Sequence, residues 1–540
     1  MRRTFSGAWL VVALVWGCDG GAADDAGVPP DDAAAPADGG GDTVPRAMTA
    51  SGPVEGITQN GAHTFFGIPY AAPPVGDRRF RPPEAPDAWT EPLDARAPRS
   101  HCPQPSNALL VPRGEASEGC LELDVFTPDL TPAEPLPVMV FIHGGAFVIG
   151  SGNVAVWDGA RLASQGAVVI TVSYRLGLAG FLAHPALDAE ADGASGMYGI
   201  LDQQAALRWV RDNAAAFGGD PGNVTIFGES AGALSVCVHY FAPGSAGLFH
   251  RAISESGSCL DGPRWLIGVP DHAPSVARGV DVATALGCPG EDAAAAACLR
   301  ALSIDQLVEA QRSLGLPDPD PAYRMLAIGP NVDGEVLPDR PSTLLAAGRH
   351  AGVPYIIGTN ADEGTFFSDD ALAATAADYE AQIRQLFGDE ADAVLAAYPA
   401  AGFDTPLAAY DAALRDLAFV CPTRALLTGL TESGVVARTY ELRTTNAPIA
   451  AMGWGAAHAV DLLYVFGNFD LPFARPDASE RVVLAAMQGY WTRFAATGDP
   501  NGAGAVEWPR YDATEPVLVL DDPVTASAGL DQARCAAITP

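Results

Sequence analysis

Val224-Thr225-Ile226-Phe227-Gly228-Glu229-Ser230-Ala231-Gly232 is a short β-branched run that ends in G-x-S-x-G. Apolar residues at helical spacing follow it to about Tyr240. A serine at the tip of a tight strand-to-helix turn has a strained backbone, so its neighbours two residues away must be small. Its hydroxyl is then exposed at the amino end of a helix, where the helix dipole favours developing negative charge. G-x-S-x-G alone occurs by chance in many proteins. The strand before it and the helix after it make this one a candidate nucleophile elbow.

Working outward, Val138 to Ile142 and Val168 to Val172 read as buried strands, as does Ala351 to Gly358. Leu201 to Ala216 carries apolar residues at helical spacing. Strands alternating with helices predict a mainly parallel sheet covered on both faces, with its chemistry in loops at the carboxyl ends of the strands. The first of these strands ends in His143-Gly144-Gly145-Ala146-Phe147. The glycines could be a simple turn. They could equally let backbone N–H groups approach a substrate oxygen, so that Gly144, Gly145 and Ala231 form an oxyanion hole. One such donor is typically worth about 10²–10³ in turnover.

Further matches run in order along the chain. They include Phe66-Gly67-Ile68-Pro69-Tyr70, Val172-Ser173-Tyr174-Arg175-Leu176-Gly177, Leu201-Asp202-Gln203-Gln204, Phe217-Gly218-Gly219-Asp220-Pro221 and Thr497-Gly498-Asp499-Pro500-Asn501. With them, the chain from about Phe65 to Cys535 resembles the type-B carboxylesterases, the bacterial para-nitrobenzyl esterases among them. The resemblance implies an α/β-hydrolase fold and a serine carboxylic ester hydrolase without a cofactor. It assigns Glu363, in Gly358-Thr359-Asn360-Ala361-Asp362-Glu363-Gly364, as the acid, with Asp362 beside it as the alternative. It assigns His458, in Gly455-Ala456-Ala457-His458-Ala459-Val460-Asp461-Leu462, as the base. Chain order serine, acid, histidine suits the fold. The expected mechanism is attack by Ser230, an acyl-enzyme and its hydrolysis. Glu229 and Ser256 resemble polar residues that support the family's site, in structural or catalytic roles.

All 31 basic residues are arginine. Without lysine there is no P-loop, no pyridoxal phosphate Schiff base and no S-x-x-K pair. The nine histidines show no metal-ligand spacing, so no metal is expected. A net charge of −34 argues against nucleic-acid binding. Arg2 and Arg3 followed by an apolar run to Trp16 predict a signal peptide over residues 1–17. Val15-Trp16-Gly17-Cys18 resembles a lipoprotein box, with Cys18 as lipid attachment point and the only membrane link. Cleavage after Ala23 is the alternative. Residues 18–46, mostly Asp, Ala, Gly and Pro, read as a disordered acidic tether, and 47–540 as the hydrolase domain.

Setting Cys18 aside leaves eight cysteines, which suits disulfides in an exported protein. The resemblance implies Cys102–Cys120, Cys288–Cys298 and Cys421–Cys535. Cys237 and Cys259 have no partner by analogy. Cys237 reads as a core thiol, with a Cys237–Cys259 bond as the alternative. The Cys102–Cys120 loop is shorter than in cholinesterases and has no aromatic residue, which disfavours choline esters. Trp454, Met325 and Leu326 are candidates for the pocket wall. A small-molecule ester is the expected partner; a lipase with a lid within Gly262 to Asp333, and a non-catalytic adhesion protein, are the rival readings.

Overall fold

A computed structural model of the chain describes residues 44–107, 110–190, 195–261, 268–313, 328–469, 475–529 and 532–538. The leader, Cys18 and the tether up to residue 43 lie outside the described residues, as do Met325 and Leu326. An eleven-stranded sheet runs through the molecule. In chain order its strands are β1 (Ile57–Gln59), β2 (Ala62–Pro69), β3 (Glu122–Thr127), β4 (Leu136–Ile142), β5 (Val168–Val172), β6 (Gly219–Glu229), β7 (Arg251–Glu255), β8 (Tyr355–Asn360), β9 (Ala437–Leu442), β10 (Pro516–Leu520) and β11 (Thr525–Ala528). Their spatial order is β11-β10-β9-β8-β7-β6-β4-β5-β3-β2-β1. The strands from β5 to β10 pair in parallel, while β1, β2, β3 and β11 pair antiparallel at the two edges.

Side-chain alternation sorts each central strand between two cores. Val138, Val140 and Ile142 of β4 pack with Ile170, Ile226 and helices α1 (Tyr198–Asn213) and α2 (Ala231–Phe241). Met139 and Phe141 face the other side, with Phe227, Ile253 and helix α3 (Ala478–Thr497), whose Met487, Trp491 and Phe494 are fully buried. Both faces being covered explains why these strands are continuously apolar rather than alternating. This is the expected α/β-hydrolase architecture. The boundary of β8 differs from the expected Ala351 to Gly358. Pro354 has no N–H for the ladder, so pairing begins at Tyr355, whose N–H donates to Val436 O at 3.0 Å.

Four disulfides join the described cysteines. Cys102–Cys120, Cys288–Cys298 and Cys421–Cys535 pair as the resemblance implies. The reading of Cys237 as a core thiol is corrected: it is bonded to Cys259. The chain leaving β7 turns back along α2 and brings two fully buried cysteines together, an approach that residues 22 apart do not advertise. The Gly262 to Asp333 stretch holds helices His272–Ala285, Ala293–Ala301 and Ile304–Ser313, with 262–267 and 314–327 outside the described residues.

After β5, Arg175 reaches α1. Its Nε and Nη2 donate to the two carboxylate oxygens of Asp202, each at 2.7 Å, and both side chains are buried. Asp202→Ala leaves a buried guanidinium without its counter-charge. It is expected to cost about 3–5 kcal/mol, seen as a lower thermal-unfolding midpoint; an unchanged midpoint would refute this account.

Candidate active site

The neighbouring strands β4, β6, β7, β8 and β9 deliver their carboxyl ends to one place. Ser230 follows β6 directly and precedes α2. Its φ of 57° is a conformation that a side-chain-bearing residue rarely adopts, costing about 1–3 kcal/mol. The flanking glycines are required by contact. A Cβ on Gly228 would lie 2.6 Å from Ile142 O, and one on Gly232 would lie 1.9 Å from the same oxygen. The elbow therefore rests on the end of β4.

Beyond Ile142, the glycine loop crosses in front of Ser230. A Cβ on Gly144 would approach Ser230 Cβ to 3.0 Å, and one on Gly145 (φ 104°) would fall 2.1 Å from Ile149 O. His143 props this loop from beneath. Its ring stacks on Tyr174 at 4.4 Å, and burial pushes it down to about 4, so it is neutral. Among the described residues, the N–H groups of Gly144, Gly145 and Ala231 donate to no protein acceptor. Three amides without protein partners that line one cavity are suited to an oxygen brought by a ligand.

His458 and Glu363 are brought together. His458 Nδ1 donates to Glu363 Oε2 at 2.6 Å, while Glu363 Oε1 accepts the Asn360 N–H at 2.7 Å. Asp362 is engaged elsewhere: it accepts the Ala456 N–H at 2.9 Å and so braces the loop that carries the histidine. Glu229 Oε1 lies 3.1 Å from His458 Nε2, out of line for a hydrogen bond, and this nitrogen has no hydrogen-bond partner among the described residues. Ser230 makes no hydrogen bond to it either; such bonds are often long in unliganded sites and tighten around substrate. Ser256, at the end of β7, has a φ of 55° and a buried hydroxyl without a partner among the described residues.

Two further buried acids at the site escaped the sequence reading. Asp461, three residues after His458, accepts from Tyr440 OH (3.0 Å) and Asn360 Nδ2 (3.3 Å). Glu255 accepts the Trp491 indole N–H at 2.6 Å. Burial pushes Glu229 up to about 8, Asp461 up to about 6 and Glu255 well above the usual carboxylate range. Burial works against the charged form of His458 too, but the carboxyl groups of Glu229 and Glu363 outweigh it and hold the imidazole up at about 9. Three phenyl rings enclose the same imidazole, those of Phe366, Phe367 and Phe419, with centroids 5.8, 5.0 and 4.8 Å away. An acid opening an otherwise apolar helix, as in Asp461-Leu462-Leu463, is the kind of signal that could have marked Asp461.

Ser230, Gly144, Gly145, Ala231, Glu229, Ser256 and His458 all line one cavity of about 320 Å³. Its remaining walls are mainly apolar, including Trp454 and Leu110 of the Cys102–Cys120 loop. No group of three or more His, Cys, Asp or Glu side chains with metal-binding geometry occurs among the described residues.

The chain is similar to known esterases along most of its length. The model of the carboxylesterase family matches residues 43–538. The para-nitrobenzyl esterase of Bacillus subtilis (strain 168) is 38% identical over 488 residues, covering 88% of this chain and 95% of that protein. The fumonisin B1 esterase of Sphingopyxis macrogoltabida is 35% identical over 505 residues, covering 91% and 89%. A solved PNB esterase structure superposes with a TM-score of 0.80 at 33% identity, over 92% of this chain and 100% of that one.

Gly145→Ala cannot keep the loop in place, because both φ and the Ile149 carbonyl oppose a methyl group. Turnover of para-nitrophenyl acetate is expected to fall by about 10²–10³, mostly in kcat. A variant with near-normal kcat would remove this loop from the chemistry.

Proposed function

This chain belongs to the carboxylesterase family, and on that premise we propose that it hydrolyses carboxylic esters through Ser230, His458 and Glu363. His458 Nε2 takes the proton as Ser230 Oγ attacks the ester carbonyl. Glu363 holds the imidazole by its Nδ1–H and stabilises the imidazolium. The N–H groups of Gly144, Gly145 and Ala231 receive the charge that develops on the carbonyl oxygen. The alcohol leaves with the proton from His458, and the acyl group remains on Ser230. Water, deprotonated by the same histidine, then releases the acid and restores the serine.

The observation that carries this reading is the convergence on one mainly apolar cavity of a half-buried elbow serine, three unpartnered amides and a histidine already held by a buried carboxylate. Apolar walls favour esters whose acyl or alcohol part is itself apolar. Glu229 acts on the histidine electrostatically, and Ser256 forms part of the wall beside the nucleophile.

We also propose that the protein is exported. Four disulfides suit an oxidising compartment, and the leader with Cys18 suits a lipid anchor. No helix among the described residues is long and apolar enough to cross a membrane.

Two experiments test the chemistry. Wild-type protein should be labelled by a fluorophosphonate and cleave para-nitrophenyl esters, and Ser230→Ala should do neither; a folded wild type that resists labelling would overturn the proposal. The second is a pH profile. The imidazole must be neutral to accept a proton, so with a pKa held near 9 the rate should climb with pH through that region. Glu229→Gln removes a carboxyl group that favours the imidazolium, so the rising limb should move to lower pH.

A further inference from the structure

The bond between Cys237 and Cys259 lies against the nucleophile's own helix. Cys237 is on α2, two turns beyond Ser230, and Cys259 ends the segment Ser256-Gly257-Ser258 that leaves β7. Both cysteines are fully buried, and the Cys259 N–H also donates to Cys237 Sγ at 3.1 Å. The segment between them and the strand forms a wall of the cavity through Ser256 and Gly257.

That wall is pressed onto the elbow. A Cβ on Gly257 would lie 2.7 Å from Ser230 O and 2.9 Å from Ala233 Cβ. The Ser230 N–H donates to Glu255 O at 2.9 Å, and Ser254 Oγ donates to Ala233 O at 3.0 Å. Ser230 and Ser256 both sit at positive φ, at 57° and 55°, where neither has glycine's freedom. Such conformations persist only when the surroundings over-determine them. Hydrogen bonds and close contacts do this at the strand end of the wall; at its far end the covalent link does.

We infer that Cys237–Cys259 is a positioning cross-link: it holds the Ser256–Cys259 wall at a set distance from Ser230 and Ala231 and so fixes the width of the cavity beside the nucleophile. The inference rests on Ser230 being the nucleophile. Misplacing a reacting group by about 1 Å can cost 10²-fold in rate, so a small relaxation of this wall is enough to register. The groups that move are those bounding the bound ester, so the effect falls on the rate at saturation and on the choice of acyl chain.

The test compares wild type with C237A/C259A and with C237V/C259A, which refills more of the volume. C288A/C298A is the control, removing a cross-link that bounds no part of the cavity. Fluorophosphonate labelling at saturating probe, kcat/KM for para-nitrophenyl acetate and octanoate, and thermal midpoints are measured at 25 °C. Both Cys237/Cys259 pairs should label about tenfold more slowly, and their octanoate-to-acetate ratio should change about threefold or more. The control should lose thermal stability with neither change. Folded variants that keep the labelling rate and chain preference, and lose only thermal stability, would make the bond a simple staple and overturn the inference. Failure of both pairs to fold would make it an element of folding and overturn it too. Absence of labelling in wild type would instead overturn the assignment of Ser230, and this inference with it.

Discussion

The carbonyl oxygen of Ile142 leaves no space at Gly232 or Gly228, where a methyl carbon would lie 1.9 and 2.6 Å from it. Because the end of β6 and the start of α2 can approach β4 this closely only with hydrogen at Gly228 and Gly232, the elbow is seated on the end of the neighbouring strand. The φ of Ser230 follows from that contact, and the first amide of α2 is set beside the amides of the glycine loop. The strain in the serine is offset by the sheet, in which β4, β6 and β7 are buried on both faces and cannot shift independently.

A second constraint is electrostatic. Glu229, Glu363 and Asp461 are removed from water around one imidazole, and Glu255 is buried beside Glu229 and Asp461. Ionised together they would repel one another strongly, and burial instead lifts Glu229, Glu255 and Asp461 toward their neutral forms. Burial disfavours the charged form of His458 as well, but the attraction of Glu229 and Glu363 outweighs it and holds the imidazole well above an ordinary histidine. The phenyl rings of Phe366, Phe367 and Phe419 keep bulk water from the ring and strengthen these interactions. Phe419 comes from a π-helical turn, Asp416–Val420, of the kind that often occurs at functional sites.

The two cysteine-closed segments at the cavity contribute differently. The short Cys102–Cys120 loop supplies Leu110, an aliphatic side chain, to the wall. Cys237–Cys259 supplies no contact to the cavity and acts on the backbone behind it. A mainly apolar cavity within a molecule of net charge −34 keeps the surface charge and the chemistry apart.

Much of this was legible in the order of residues. G-x-S-x-G after a β-branched run and H-G-G after another state their geometry locally, because only glycine fits those contacts and the alternation of core faces follows from the strand period. Glu363, His458 and three of the four disulfides came from resemblance rather than from spacing. What the chain order could not state is which distant groups meet. Cys237 finds Cys259 because the chain after β7 turns back along α2; Glu229, Glu363 and Asp461, from three separate stretches of chain, act on one imidazole; Asp362 and Glu363, adjacent in sequence, go to different partners because their side chains diverge from one turn. Sequence by itself determined the sheet, the elbow and the class of chemistry, since steric fit and hydrophobic period act over a few residues. Tertiary structure decided the charge on the histidine and the bond at Cys237, since burial and approach depend on segments up to 236 residues apart, as in the contact of Glu255 with Trp491.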